Sequence, residues 1–179
     1  MRRLDILVVE DMPVHQEAAS EQLGVDHNLE VVGSFDEAVD LFVGERNFYG
    51  KKKEEHNYDM LLTDLMFPQG RGDCQTDKSK AREVQPFGYV LAMIAAKKGI
   101  PNIAIVTDGS HHNGGMVYAM DFFDPYNCTE PYFRQEPLLI GSGRVLFINQ
   151  GVEIDNDLYN GGKGQKNWKI ALKRLIGKD

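Results

Sequence analysis

Five short apolar runs alternate with stretches of helical periodicity, and this alternation constrains the chain more than any other feature. The runs are Asp5–Asp11, about Leu29–Val32, Tyr58–Leu65, Asn102–Val106 and Arg144–Asn149. After the first, Pro13 suits an opening helical turn through its fixed φ, and Val14, Ala18, Ala19 and Leu23 form an apolar stripe that stops at Gly24. Ser34-Phe35-Asp36-Glu37 is a capping box, followed by Phe35, Ala38, Val39 and Phe42 at helical spacing. Phe87–Lys98 is apolar almost all round, which predicts a buried helix, and Lys97, Lys98 and Gly99 mark its end. A last helix carries Trp168, Ala171, Leu172, Leu175 and Ile176. The third run is near-continuously apolar, as expected of a strand covered by helices on both faces. Strands alternating with helices in this way predict an α/β fold, a doubly wound five-stranded parallel sheet with right-handed crossovers.

With 179 residues the chain is most simply one domain, spanning 1–179, with length enough for a sizeable core. Two stretches interrupt the pattern: an irregular segment near 68–88, and a Gly/His-rich, Pro-punctuated region near 109–143. A formal charge of −7 argues against broad nucleic-acid binding, which needs a basic footprint. Lys51–Lys53 and the tail residues Lys163, Lys166, Lys169, Lys173 and Arg174 read as solvated faces. No apolar stretch approaches a bilayer span and no signal-peptide pattern precedes the first strand, so a cytoplasmic location without a membrane partner is expected. Cys74 and Cys128 have neither zinc-like spacing nor a disulfide framework, which predicts two free thiols.

The ends of the strands carry the chemistry. A buried strand has no use for a terminal carboxylate, because an unpaired buried charge is costly. Yet the first run ends in Glu10-Asp11 and the third in Asp64, while the fourth ends in Thr107-Asp108. In a doubly wound sheet, ligands gather outside the carboxyl ends of the strands. Glu10, Asp11 and Asp64 are hard oxygen donors of the kind Mg²⁺ selects. Asp64 could attack phosphorus and become an acyl phosphate, with the Thr107 hydroxyl donating to a phosphoryl oxygen.

On these residues the chain resembles a response-regulator receiver domain of two-component signalling. The matching motifs are Val8-Val9-Glu10-Asp11, Leu62-Thr63-Asp64-Leu65-Met66-Phe67-Pro68, Val106-Thr107-Asp108 and the helix start Ser34-Phe35-Asp36-Glu37-Ala38. The resemblance implies a flavodoxin-like strand order 2-1-3-4-5 and a phosphorelay function. Asp64 would be the phosphoacceptor, served by a histidine kinase or phosphotransfer protein. Asp11, Glu10 and Asp64, with the Met66 backbone carbonyl, would hold Mg²⁺, and Thr107 would be the switch hydroxyl. A stand-alone receiver acts through a separate output protein and is no enzyme beyond its own phosphotransfer. The chain departs from the family at the end of the fifth strand, where receivers place a lysine: Ile148-Asn149-Gln150 stands there, and Lys163 is the candidate substitute cation.

That departure leaves a second reading open, a pseudo-receiver interaction module not regulated by phosphorylation. A third, a Mg²⁺-dependent phosphohydrolase, needs an acid two residues after its nucleophile, where this chain has Met66. His111 and His112 read as polar rim residues, since adjacent side chains face apart. His15 and His27 read as ordinary helix and loop residues. Asp108 could be another ligand, and a turn-initiating Asp before Gly109 explains it equally well, while Asn160–Gln165 lacks the spacing of a phosphate loop.

Overall fold

The computed structural model describes residues 2–43, 56–70, 82–107, 137–149 and 165–177. In chain order the elements are β1 (Asp5–Val9), α1 (Pro13–Leu23), β2 (Asn28–Val32), α2 (Phe35–Val43), β3 (Met60–Thr63), β4 (Phe67–Pro68) and β5 (Val84–Gln85). There follow α3 (Phe87–Lys97), β6 (Asn102–Thr107), β7 (Leu138–Ile140), β8 (Gly143–Asn149) and α4 (Trp168–Ile176).

The main sheet runs β2-β1-β3-β6-β8-β7. Its first five strands are parallel and take the expected order 2-1-3-4-5. The sheet is larger than predicted by one strand, because β7 adds an antiparallel edge to β8. The turn between them places Gly141 at φ +60, a conformation that costs a glycine little.

Alternation along each strand sorts the core into two halves. Leu7, Val9, Leu61, Ile103, Ile105, Val145 and Phe147 face α2 and α3. Ile6, Val8, Met60, Leu62, Ala104, Val106, Leu146 and Ile148 face α1 and α4, around the fully buried Trp168. The capping box forms at α2: Glu37 N–H donates to Ser34 Oγ at 3.5 Å, and Glu37 Oε2 accepts from Ser34 Oγ at 2.9 Å and from Gly33 N–H at 3.0 Å. Helix α3 is less buried than its composition predicts, with Val90 40% and Met93 52% exposed. Only one side of it meets the sheet, and near-uniform apolarity cannot say which.

The described ends of the 68–88 insertion form a short antiparallel ribbon, β4 on β5. Asp36 N–H donates to Gln69 O at 2.8 Å, tying the ribbon to the start of α2. Residues 71–81 of the insertion, Asp108, His111 and His112, most of the 109–143 region, Lys51–Lys53 and both cysteines lie outside the described residues. Among the described residues, no helix is long and apolar enough to cross a membrane.

Candidate metal and phosphoryl site

The strand register builds the site. Val9 of β1 pairs with Val32 of β2 and with Thr63 of β3, so the next residue on each strand, Glu10 and Asp64, leaves the sheet at the same edge. Two backbone bonds hold these exits: Glu10 N–H to Val32 O at 3.0 Å and Asp64 N–H to Val9 O at 2.8 Å. Carboxylate oxygens of Glu10, Asp11 and Asp64 all lie within 4.8 Å of one another. Thr107, buried, ends β6 on the neighbouring strand, where it pairs in register with Asn149. Met66 follows Asp64 by two residues, its side chain packed against the core half under α2 and α3.

Three carboxylates gathered this closely repel one another, and among the described residues Lys166 brings a cation to them. Lys166 Nζ lies 2.6 Å from Glu10 Oε2 and 2.8 Å from Asp64 Oδ1. The lysine is 1% exposed and the Glu10 side chain is fully buried, so the pair is screened little by solvent. Its ammonium also stands 5.7 Å from the centre of the Trp168 ring, within cation–π range.

The remaining contacts hold Glu10 and Asp64 in place. Glu10 Oε1 accepts from Met12 N–H at 3.0 Å, and the Glu10 carbonyl accepts from Gln16 Nε2 at 2.6 Å. Asp64 Oδ1 accepts from Leu65 N–H at 2.7 Å, and Thr63 Oγ1 donates to the Asp64 carbonyl at 2.9 Å. Among the described residues, none donates a hydrogen bond to Asp64 Oδ2 or to the Asp11 carboxylate. Burial pushes the Asp64 carboxyl up to about 6, an effect that the Lys166 ammonium opposes and the Glu10 carboxylate reinforces. Helix α3 begins directly on this loop. Gly88 N–H donates to Leu65 O at 3.0 Å, and a Cβ at Gly88 would stand 2.3 Å from the Asp64 carbonyl oxygen.

Of the residues named from sequence, Glu10, Asp11 and Asp64 come together, and Thr107 takes its place at the same sheet edge. Lys163 lies outside the described residues. The ammonium found among the carboxylates belongs to Lys166, three positions later, a residue that the sequence predicts in a solvated basic tail and that is buried instead because its approach to α4 packs against α1. A local signal existed: Asn167 caps α4 by accepting from Ile170 N–H at 3.1 Å, which sets Lys166 just before the helix start. His15 and His27 are also more than bystanders. Both are buried, and each Nδ1 accepts a backbone N–H, from Lys166 at 3.2 Å and from Leu4 at 3.3 Å.

No protein-family model matches the chain, and no curated protein matches it. Among solved structures it is similar to the signal receiver domain of an HD domain-containing protein from Pseudomonas fluorescens Pf-5. The identity is 13%, the TM-score 0.51, and the match covers 98% of this chain and 96% of that one. The bacteriophytochrome response regulator AtBRR is matched at 15% identity and a TM-score of 0.45, over 98% and 94% of the two chains. Identity at this level speaks to architecture, and the fold of this chain is that of a signal receiver domain.

Proposed function

We propose that the chain is a receiver-type signalling module whose Asp64 accepts a phosphoryl group in the presence of Mg²⁺. The observation that carries this reading is the Lys166 ammonium at 2.8 Å from Asp64, a cation where an incoming phosphoryl group needs one and where the carboxyl end of the fifth parallel strand, Ile148-Asn149-Gln150, has no lysine. Among the described residues, three carboxylates stand against one ammonium, and a donor set of such hard oxygens suits a divalent ion. Asp11, Asp64 and the Met66 carbonyl would hold Mg²⁺, with Glu10 acting through water. The ion would supply charge neutralisation for the phosphoryl oxygens.

The protein's own residues do the rest. An Asp64 oxygen forms the new O–P bond while the bond from phosphorus to the donor nitrogen or oxygen breaks, its electron pair leaving with the donor. With its carboxyl pushed up to about 6, Asp64 is ionised at neutral pH and competent to attack. Lys166 then pairs with the phosphoryl group, and the Thr107 hydroxyl donates to a second phosphoryl oxygen. The donor would be a phosphohistidine on a kinase or phosphotransfer protein, in the cytoplasm, and the signal would pass to a separate output protein. The position of Lys166 supports this reading over the pseudo-receiver one, which draws on the lack of a lysine at the end of the fifth strand.

Incubation with Mg²⁺ and acetyl phosphate, followed by intact mass measurement, tests the proposal. One phosphoryl group per chain is expected, abolished by a chelator. An unchanged mass, together with no binding of beryllofluoride, sinks it.

A further inference from the structure

The cation of this site is held in an unusual way. A lysine at a strand end is placed by the sheet, whereas Lys166 lies in the approach to α4, and both sides of its backbone are gripped by α1. Its N–H donates to His15 Nδ1 at 3.2 Å, and its carbonyl accepts from Gln22 Nε2 at 3.0 Å. The same two residues hold the start of α4. Trp168 Nε1 donates to the His15 carbonyl at 2.9 Å, and Lys169 N–H donates to Gln22 Oε1 at 3.2 Å. A buried peptide N–H requires an acceptor. His15 is 4% exposed and offers one only in the tautomer with Nδ1 unprotonated. A lysine side chain has four flexible methylenes, so its ammonium is placed only as well as its backbone is.

We infer that His15 is a positioning residue for Lys166: the α1–α4 clamp, through His15 Nδ1 and supported by Gln22, sets the ammonium against Glu10 and Asp64. The inference rests on the reading of Lys166 as the cation that serves Asp64. It makes the α1–α4 face, rather than the end of β8, the part of the fold tied directly to the charge state of the site.

Three variants of the full chain test it. His15→Phe keeps the ring and loses the acceptor; His15→Asn sets an amide oxygen near the place of Nδ1; Lys166→Met removes the ammonium. The rate of mass gain with acetyl phosphate and Mg²⁺ is read alongside Mg²⁺ affinity, reported by the fluorescence of Trp168, the chain's single tryptophan. Lys166→Met is expected to slow phosphorylation on the order of 100-fold and to tighten Mg²⁺ binding about tenfold, as a competing positive charge is lost. His15→Phe should move both quantities the same way, the rate by about tenfold, while His15→Asn stays within about twofold of wild type. Gln22→Leu should shift both with the same sign and gives an independent reading where His15→Phe fails to fold. Wild-type behaviour of His15→Phe, or equal impairment of the two His15 variants, overturns the inference. A wild-type protein that gains no mass and binds no beryllofluoride refutes the phosphoacceptor reading instead, and the Mg²⁺ affinities of the same variants then decide the role of His15.

Discussion

Lys166 Nζ and Glu10 Oε2 meet at 2.6 Å across 156 residues of chain, both side chains buried. The contact joins the approach to the last helix to the end of the first strand and closes the site. Removing one partner of a buried ion pair leaves an uncompensated charge, at a cost of about 3–5 kcal/mol. Lys166→Met should therefore lower stability in urea by about that amount at pH 8 without Mg²⁺, and Mg²⁺ should recover part of the loss by binding the folded state. A loss below about 1 kcal/mol would mean the pair behaves as a surface contact.

The acidity of Asp64 gives a pH dependence with a definite sign. Its carboxyl is raised from 3.8 to about 6 in the folded protein, chiefly by burial. A raised carboxyl favours the protonated folded state, so its stabilising contribution is full below the unfolded value of 3.8 and is lost as pH rises through about 6. Asp64→Asn should thus stabilise the metal-free protein at pH 8, by an amount of the order of 2 kcal/mol, and make little difference at pH 3.5. Urea denaturation at the two pH values checks this; equal effects at both would refute it. In the wild type, a proton competes with the metal, so Mg²⁺ affinity should fall about tenfold per pH unit below about 6.

Trp168 gives the site a reporter, since its ring lies 5.7 Å from the Lys166 ammonium and no other tryptophan is present. Mg²⁺ bound as proposed would draw charge from the same carboxylates that hold Lys166, so titration should change the emission with a single saturating curve. Asp11→Asn, which removes a carboxylate charge while leaving the Lys166 contacts in place, should weaken Mg²⁺ at least about tenfold. An unaltered dissociation constant would remove Asp11 from the ligand set.

The close seat of α3 on the Asp64 loop predicts a second kind of failure. Gly88→Ala would force a Cβ to within 2.3 Å of the Asp64 carbonyl oxygen and 2.8 Å of Leu65 Cα, both backbone atoms that cannot swing aside. Overpacking of this kind costs about 1–3 kcal/mol. Because the displaced atoms adjoin Asp64, the variant should also lose Mg²⁺ affinity, measured by Trp168 emission. Loss of stability with unchanged Mg²⁺ binding would show that the loop moves without its carboxylate.

The sheet and the three carboxylates were legible in the sequence because each rests on local information. An apolar run that stops at Glu10 or Asp64 announces a strand and its exit together, and parallel register then brings the exits to one edge. Lys166 was not legible in the same way. Its ammonium reaches the site because α4 packs on α1 and the sheet, which is a tertiary fact; only the Asn167 cap hinted at where the helix begins. The edge strand β7 was hidden in a Pro-punctuated region, although Leu138-Leu139-Ile140 before Gly141-Ser142-Gly143 has the form of a hairpin. His15 reads from sequence as an ordinary helix residue, because its bond to the Lys166 N–H spans 151 residues and has no local signal.

The phosphoryl group is expected on Asp64. An acyl phosphate is reduced by borohydride to an alcohol, which marks the modified carboxylate permanently. After treatment with acetyl phosphate and Mg²⁺, reduction and proteolysis, peptide mass spectrometry should find the mark at position 64 and nowhere else, and Asp64→Asn should carry none. A mark at Asp11 or Glu10, or an unmarked wild-type protein, would contradict the account.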